Sequence, residues 1–335
     1  MSGFARTFGR PDCAVHGPAR IYDIRATTSG RLNDARCASV RRLPNVSTLR
    51  TAAAAGIGGS GLVPKRRFRV TTPILVTGGT GTLGRDVVVR LLAAVHEVRV
   101  LTRRSRETLE GVEFMEGDLS TGEGIEAAVK GADIIVHCAG SAKGDEIKAR
   151  YLVQAASEAG ASHFVYISIV GADRIPVVSV VDRAMFGYFA SKLAAEGLVA
   201  ASGIPWTTLR ATQFYDLMLK TAQTMTKQPV IPIPAGFRFQ PVVAGEVAGR
   251  LVELALASPA GLVPDIAGPR VYAMDDLIRT YLRARGKHRP MLRLRFPGRA
   301  AAAYRAGANL APDHAVGRKT WEEFLTERMP AEQGR

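Results

Sequence analysis

The stretch Ile74–Gly84, which reads ILVTGGTGTLG, constrains the fold of this chain more than any other. Its first four residues are apolar or β-branched and predict a short strand. Three glycines follow at a spacing of three residues, and a helical pattern of apolar residues begins at once. A strand, a glycine turn and a helix in this order are typical of a site for the diphosphate of a dinucleotide.

The three glycines have different expected roles in such a turn. Gly78 would allow the tight turn, and Gly81 would let the backbone approach the diphosphate, because a Cβ there would collide with it. Gly84 would let the helix lie close to the sheet, with its N–H groups and positive dipole end facing the phosphates. A flexible surface turn is the alternative, since the spacing G-x-x-G-x-x-G is a weak signal by itself. The predicted cofactor-binding turn comprises Gly78, Thr80, Gly81, Thr82, Leu83 and Gly84.

Length, hydropathy and cysteine usage exclude several protein classes. The 335 residues suffice for a sizeable core. No apolar run approaches the roughly 18 residues of a membrane-spanning helix. The three cysteines lie far apart and form no C-x-x-C. This argues against a disulfide framework or a structural zinc site, and it predicts a reducing, cytoplasmic compartment and no metal site.

The net charge of +15 is concentrated in the first 69 residues. Residues 1–69 hold 13 Lys and Arg against three acids, or +10, whereas residues 70–335 hold 32 against 27, or +5. The first segment contains no Glu and shows no sustained periodicity, so we expect it to be disordered. An Arg-rich transit segment and a nucleic-acid-binding arm are open alternatives. We favour a third interpretation, in which the natural start lies near Val70.

Alternating strand and helix patterns after Val70 predict a doubly wound parallel α/β sheet, the Rossmann fold. The second strand is followed by Arg103 and Arg104, at the point where an acid would accept a hydrogen bond from the ribose of NAD. Guanidinium groups suit a 2′-phosphate instead, which predicts NADP(H) rather than NAD(H). A solvated basic turn is the alternative. The predicted strands cover residues 74–77, 97–102, 112–117, 133–140, 163–168, 206–211 and 262–267.

Two further strand ends contribute candidate cofactor contacts. Asp118 and Leu119 follow the third strand, where the carboxylate would reach the adenine amino group or cap a helix. The fourth strand ends in Ala139 and Gly140, small residues that leave room for a cofactor at the carboxyl edge of the sheet. The imidazole and thiol just before them, at 137–138, are interpreted as core groups.

The candidate chemistry lies on a helix predicted at 182–201. Tyr188, Lys192 and Glu196 are four residues apart and share one face. A lysine ammonium one turn from a phenol lowers the pKa of the phenol, which can then exchange a proton with a carbonyl or alcohol oxygen while hydride moves at carbon. The lysine can also hydrogen-bond the nicotinamide ribose. A surface tyrosine beside a solvated lysine is the alternative.

Together these motifs resemble the NmrA-like, atypical or extended, short-chain dehydrogenase/reductases. The resemblance rests on the GGTGTLG turn, the arginines after the second strand, the Asp-Leu pair after the third, the helix of Tyr188 and the run at 209–214. It covers roughly residues 72–328 and implies an NAD(P)-binding Rossmann domain.

The resemblance also implies roles for individual residues. Tyr188 would be the acid/base, Lys192 its support and a cofactor contact, and Ser168 the hydroxyl that holds the substrate carbonyl. The sequence departs from the family at 169–170, where Ile and Val stand and relatives often carry the working hydroxyl. Some relatives lack the tyrosine and act as NADP(H) sensors.

The second half, residues 212–335, is expected to build a small lobe that closes the substrate cleft. Its proline-rich stretch at 229–241 is interpreted as an ordered loop over the pocket. Residues 277–312 hold nine Lys and Arg and no acid. An acidic ligand, nucleic acid or anionic lipid would fit this segment, but we favour a solvated face.

These observations predict an NADP(H)-dependent oxidoreductase that reduces a carbonyl, quinone or related small molecule. The alternative is a non-catalytic, NADP(H)-sensing regulatory protein, and a sugar-nucleotide epimerase ranks lower because no motif for such a substrate is present. A small-molecule substrate is expected, with no membrane partner and no nucleic acid. A homodimer or a protein partner stays open.

Overall fold

The computed structural model describes residues 72–329, except residues 105, 108 and 142. The leader predicted at 1–69 therefore lies outside the described residues. No helix in the described part is both long and apolar enough to cross a bilayer.

The strands are β1 (Ile74–Thr77), β2 (Val98–Thr102), β3 (Val112–Glu116), β4 (Ile134–His137), β5 (His163–Ile169), β6 (Trp206–Ala211), β7 (Ile231–Pro234), β8 (Arg238–Phe239), β9 (Gly261–Leu262), β10 (Tyr272–Ala273) and β11 (Met291–Leu294). The helices are α1 (Thr82–Ala93), α2 (Ile125–Val129), α3 (Asp145–Glu158), α4 (Val180–Ala200), α5 (Tyr215–Met225), α6 (Ala244–Leu256), α7 (Met274–Ala284), α8 (Arg299–Ala306) and α9 (Trp321–Arg328).

Seven strands form one parallel sheet in the order β3-β2-β1-β4-β5-β6-β9. The direction of winding reverses between β1 and β4, so a crevice opens at the carboxyl ends of these two strands. This is the doubly wound Rossmann arrangement, and the predicted fold class is confirmed.

Both faces of the sheet are covered, which explains why its strands read as nearly continuous apolar runs. Ile74 and Val76 lie in a core with residues of α1 and α6. Leu75, from the same strand, lies in a second core with Ile135 and residues of α2 and α3. Alternate residues of β1 thus anchor helices on opposite faces, and β1 becomes the centre of the fold.

A third core belongs to the second half of the chain. It contains residues of α5, α7, α8 and α9 together with the short strands β7, β8 and β10. Two aromatic residues of α4, Phe186 and Phe189, pack into it. The lobe core is therefore joined to the sheet domain through α4.

The proline-rich stretch at 229–241 differs from its prediction as a loop, because it contains strands β7 and β8. β7 pairs in parallel with β11, and Ile231 and Ile233 point into the lobe core with exposures of 0% and 2%. The prolines alternate with these residues and leave the pairing intact. The strand predicted at 262–267 is also shorter than expected, since β9 ends at Leu262 and Pro264 has no N–H to donate to a ladder.

We expect Gly84→Ala to destabilise the fold. A Cβ on Gly84 would lie 2.1 Å from the carbonyl oxygen of Gly78, so the turn or the helix must move. The steric cost, about 2 kcal/mol or more, exceeds the helix-propensity gain of about 1 kcal/mol. Thermal unfolding measures the change. Gly197→Ala in α4 is the matched control, because its Cβ would meet no neighbour within 4 Å and should leave the protein as stable or slightly more so. A melting temperature of Gly84→Ala at or above that of the natural chain would contradict the prediction.

Candidate active site

The glycine turn after β1 brings backbone against backbone. Gly78 has φ +69°, and a Cβ on it would lie 2.7 Å from the Cα and N atoms of Ala139 at the end of β4. The N–H of Gly81 donates to the Gly78 carbonyl at 2.9 Å. Gly81 precedes α1 without a side-chain cap, and the first turn of the helix has no acid. The first N–H groups of α1 are thus available to an anionic ligand.

All residues predicted to bind cofactor or to act in catalysis line one cleft with a volume of about 1080 Å³. The cleft runs along the carboxyl ends of the central strands, and its lining also includes residues of the second half of the chain. The roles of the predicted site residues stay predictions, but the structure brings all of these residues together in one cleft. They are Gly78, Thr80, Gly81, Thr82, Leu83, Gly84, Arg103, Arg104, Asp118, Leu119, Ala139, Gly140, Ser168, Tyr188 and Lys192.

One end of the cleft is basic. Arg103 and Arg104 follow β2, are exposed and line the cleft, and Arg106 joins them there. No ion pair with another described residue engages any of the three. Sequence reasoning missed Arg106, although its position two residues further along the same turn was a usable signal. Three unpaired guanidinium groups make this end suited to a phosphate.

Asp118 lies beside this basic end. Its Oδ1 accepts hydrogen bonds from the backbone N–H of Ser120 at 2.8 Å and from the Ser120 hydroxyl at 2.6 Å. These two bonds, helped by the charges of Arg103 and Lys148, hold the pKa of Asp118 below its usual value. The alternative role as a helix cap is wrong, because α2 begins at Ile125 and the residue before it is a glycine. Asp118 closes a local turn and stays ionised at the cleft.

The ammonium group of Lys192 is buried and paired with a carboxylate. Its Nζ lies 3.1 Å from Oδ2 of Asp145 and donates to the carbonyl of Ile167 at 3.0 Å. The exposures of Lys192 and Asp145 are 2% and 0%. Burial lowers the pKa of Lys192, and the charge of Asp145 opposes that shift. Sequence reasoning missed Asp145. Its place as the first residue of α3, just after the carboxyl end of β4, was the available signal.

Three polar atoms converge beside Gly140. A Cβ placed on Gly140 would lie 3.5 Å from Oδ2 of Asp145, 3.7 Å from Nζ of Lys192 and 4.0 Å from the hydroxyl of Tyr188. The absence of a side chain at Gly140 therefore leaves an open point that a phenol, an ammonium and a carboxylate all face. A ligand atom held there would contact a proton donor and a charge pair at once.

The pKa of Tyr188 shifts in the direction opposite to the one expected from the sequence. Burial raises it, and the negative charge of Asp145 raises it further. The expectation considered only the ammonium of Lys192, whereas the structure places a compensating carboxylate against that ammonium. The phenol is therefore held in its protonated form, ready to donate a proton.

Ser168 lies at the end of β5 with an exposure of 2%, and its hydroxyl has no hydrogen-bond partner among the described residues. The Oε1 atom of Gln213, also on the cleft, is buried and unpartnered in the same way. Around these two polar groups the cleft is apolar and aromatic. This part of the lining includes Ile169, Phe189, Phe214, Leu217, Met218, Phe239 and Tyr304.

Glu196 does not line the cleft, although the sequence pattern places it on the same helix face as Tyr188. It forms a bidentate pair with Arg210 of β6, at 2.9 and 2.7 Å.

His137 is a core group as predicted. It is fully buried, forms a hydrogen bond with the Thr77 hydroxyl at 2.6 Å, and burial lowers its pKa to about 3. Cys138 is half-buried and lines the cleft, but burial raises its pKa to about 12, so it is not a nucleophile. No group of residues suited to a metal ion occurs in the described part of the chain.

Comparison with known proteins agrees with this geometry. Residues 78–231 match a protein family described as NAD(P)H-binding. The photosystem II assembly factor Ycf39 of Trieres chinensis is 29% identical over 172 residues, which are 48% of this chain and 49% of that protein. This chain thus spans about half the length of that curated relative. The ceramide reductase of Caulobacter vibrioides is 29% identical over 246 residues, or 67% of this chain and 74% of that protein.

Solved structures show the same fold. An NADPH-dependent quinone oxidoreductase from Escherichia coli, complexed with NADPH, superimposes with a TM-score of 0.64 at 19% identity. The superposition covers 76% of this chain and 99% of that chain. The two proteins thus share the doubly wound Rossmann fold. The prediction of an NAD(P)-binding Rossmann-type domain is confirmed: residues 78–231 match the NAD(P)H-binding family, and they lie on the doubly wound parallel sheet.

Proposed function

We propose that this chain is an NADP(H)-dependent oxidoreductase that reduces a carbonyl, a quinone or a related small molecule by hydride transfer. The observation that carries the proposal is the convergence of Tyr188 and Lys192 beside Gly140, in the cleft that begins at the glycine turn. The ceramide reductase and the NADPH-dependent quinone oxidoreductase among the similar proteins support it.

The residues of the cleft fit such a cofactor. The uncapped start of α1 would hold the diphosphate, and the side-chain-free Gly140 leaves the space beside Lys192 open for the nicotinamide ribose. Arg103 and Arg104 would bind a 2′-phosphate, which favours NADP(H) over NAD(H). Bound NADPH would supply the hydride.

The chain's own residues would handle the proton. Tyr188 is held protonated and would donate to the substrate oxygen as that oxygen gains negative charge. Lys192 would stabilise the phenolate that forms, and Asp145 would hold Lys192 in position. The unpartnered hydroxyl of Ser168 would donate a hydrogen bond to the same oxygen. A sensing role would need no such convergence, so we do not favour it.

We propose that the lobe, built mainly from residues 212–335, selects the substrate. Its contribution to the cleft is apolar and aromatic, with Phe239 and Tyr304 among the lining residues. Such a lining favours a substrate with a largely apolar body and a single polar reacting group.

Tyr188→Phe should reduce NADPH-dependent turnover by about 10²- to 10⁴-fold, because the proton donor is lost. Cofactor affinity should change little, since the ring is kept. Turnover is measured as NADPH consumption with a panel of quinones, aldehydes and ketones, and affinity is measured by calorimetry. Tyr151→Phe, on the exposed side of α3, is the control. Full activity in Tyr188→Phe would remove the phenol from the mechanism.

The double variant Arg103→Ser/Arg104→Ser should weaken NADPH binding roughly tenfold and leave NADH binding nearly unchanged, because charge-assisted bonds to the 2′-phosphate are lost. Calorimetric titration with both nucleotides measures this. Arg150→Ser, an exposed arginine of α3 away from the cleft, should alter neither affinity. An equal loss for both nucleotides would show that the arginines do not read the 2′-phosphate.

Asp145→Asn should move the alkaline limit of the reduction to lower pH. Without the carboxylate, the pKa of Tyr188 is no longer raised by a neighbouring negative charge, and the charged form of Lys192 loses its support against burial. The phenol and the ammonium both lose their protons at lower pH, so activity declines earlier as pH rises. The pH profile of turnover measures this shift, with Asp276→Asn on α7 as the control. An unchanged profile would show that Asp145 only fills space.

A further inference from the structure

We propose that the outer face of the small β7–β11 sheet, with the basic segment around it, docks on the surface of an anionic lipid bilayer. We call this region the β7–β11 face and define it by Pro232, Pro234, Leu292 and Leu294 with the cations at 283–299. The proposal is independent of the function proposed for the cleft.

The β7–β11 face turns apolar side chains to solvent. Ile231 and Ile233 occupy the buried face of β7, so the alternate residues of the strand point outward. In the parallel register, Leu292 pairs with Pro232 and Leu294 pairs with Pro234, so these residues share the outward face. Leu292 is 55% exposed and Leu294 is 38% exposed. A two-stranded sheet with one solvated face would normally carry polar residues there.

Cations without acidic partners precede and follow β11 in the chain. Of the nine Lys and Arg at 277–312, Arg279 and Arg293 pair with acids of α7, and Arg305 bonds the carbonyl of Phe296. The other six are exposed and form no ion pair within the described part of the chain. Three of the six converge on one pocket of about 340 Å³ beside Leu282 and Met291. The six are Arg283, Arg285, Lys287, Arg289, Arg295 and Arg299.

The combination favours a bilayer over a nucleic acid. Cations alone would suit either phosphate-bearing surface. The exposed leucines have no role against a phosphate backbone, whereas aliphatic side chains enter the region between headgroups and acyl chains. Of Phe, Tyr and Trp, the segment 283–299 contains Phe296 alone, and this ring is partly buried against the lobe core, which disfavours stacking with a base. The sequence alone favoured a solvated face for this basic segment. The exposed leucines of the paired strands are the structural observation that favours an anionic bilayer instead.

The experiment is sedimentation of the full chain with vesicles of phosphatidylcholine, with and without phosphatidylglycerol. Lys287→Glu/Arg289→Glu/Arg295→Glu should lose at least tenfold in affinity for the anionic vesicles, because each cation near such a surface contributes roughly fivefold. Lys130→Glu/Arg150→Glu/Arg318→Glu changes the net charge equally at exposed sites elsewhere and should lose less than about threefold by the same reasoning. Residues 1–69 are the same in both triple variants, so their contribution to vesicle binding cancels when the two variants are compared.

A second variant, Leu292→Ser/Leu294→Ser, tests the apolar contact without changing charge. It should weaken binding to anionic vesicles most clearly at high salt, where charge is screened. Melting curves and NADPH affinity of every variant report whether the fold and the cleft are intact. Equal losses in the two triple variants would overturn the proposal, because net charge alone would then explain binding. A second pair of results would also overturn the proposal. If the leucine variant bound vesicles as well as the natural chain, and the Lys287 triple variant lost binding to duplex DNA, the surface would be assigned to nucleic acid.

Discussion

The contact between the turn after β1 and the end of β4 sets the geometry of the whole cleft. At Gly78 the two segments approach so closely that a Cβ would lie 2.7 Å from the backbone of Ala139. Gly84 repeats the constraint inside the turn, where its Cα faces the carbonyl of Gly78. Backbone therefore lines the crevice in place of side chains, and the N–H groups at the start of α1 stay accessible. A nucleotide site results from a packing constraint between neighbouring parallel strands.

The buried charge of Lys192 depends on a second constraint. An ammonium with 2% exposure is stable only if its charge and its N–H donors are compensated. Asp145 supplies the charge, Ile167 supplies a carbonyl, and the ring of Tyr166 lies 4.8 Å from the ammonium. These contacts come from α3 and from β5, so the side chain is held from two directions. Its position is part of the scaffold, which is the condition for positioning a phenol and a ribose.

Sequence reasoning succeeded where the signal is local and failed where the partner is distant. The ends of β1 and β6 agree with the prediction to the residue, because buried parallel strands carry long apolar runs. The glycine turn was readable because its residues are contiguous. Asp145 was missed because its partner, Lys192, is distant in sequence. The predicted direction of the pKa shift of Tyr188 was wrong because burial of the phenol, the larger cause, and the charge of Asp145 both arise from tertiary packing. The pairing of β7 with β11 was invisible in the same way, and the prolines of β7 suggested a loop.

Helix α4 connects the chemistry of the cleft to the core of the lobe. Tyr188 faces the cleft, and the next residue, Phe189, packs with its ring 6.1 Å from that of Tyr304, a residue of α8 that also lines the cleft. At the start of α4, Asp182 accepts a hydrogen bond from the backbone N–H of Ala300 at 3.1 Å, which ties the first turn of α8 to the helix. A change in the packing of α8 would therefore reach both the substrate wall and the phenol. In the function proposed above, the substrate wall and the proton donor would therefore share one packed joint, so variation in the lobe core would alter both together.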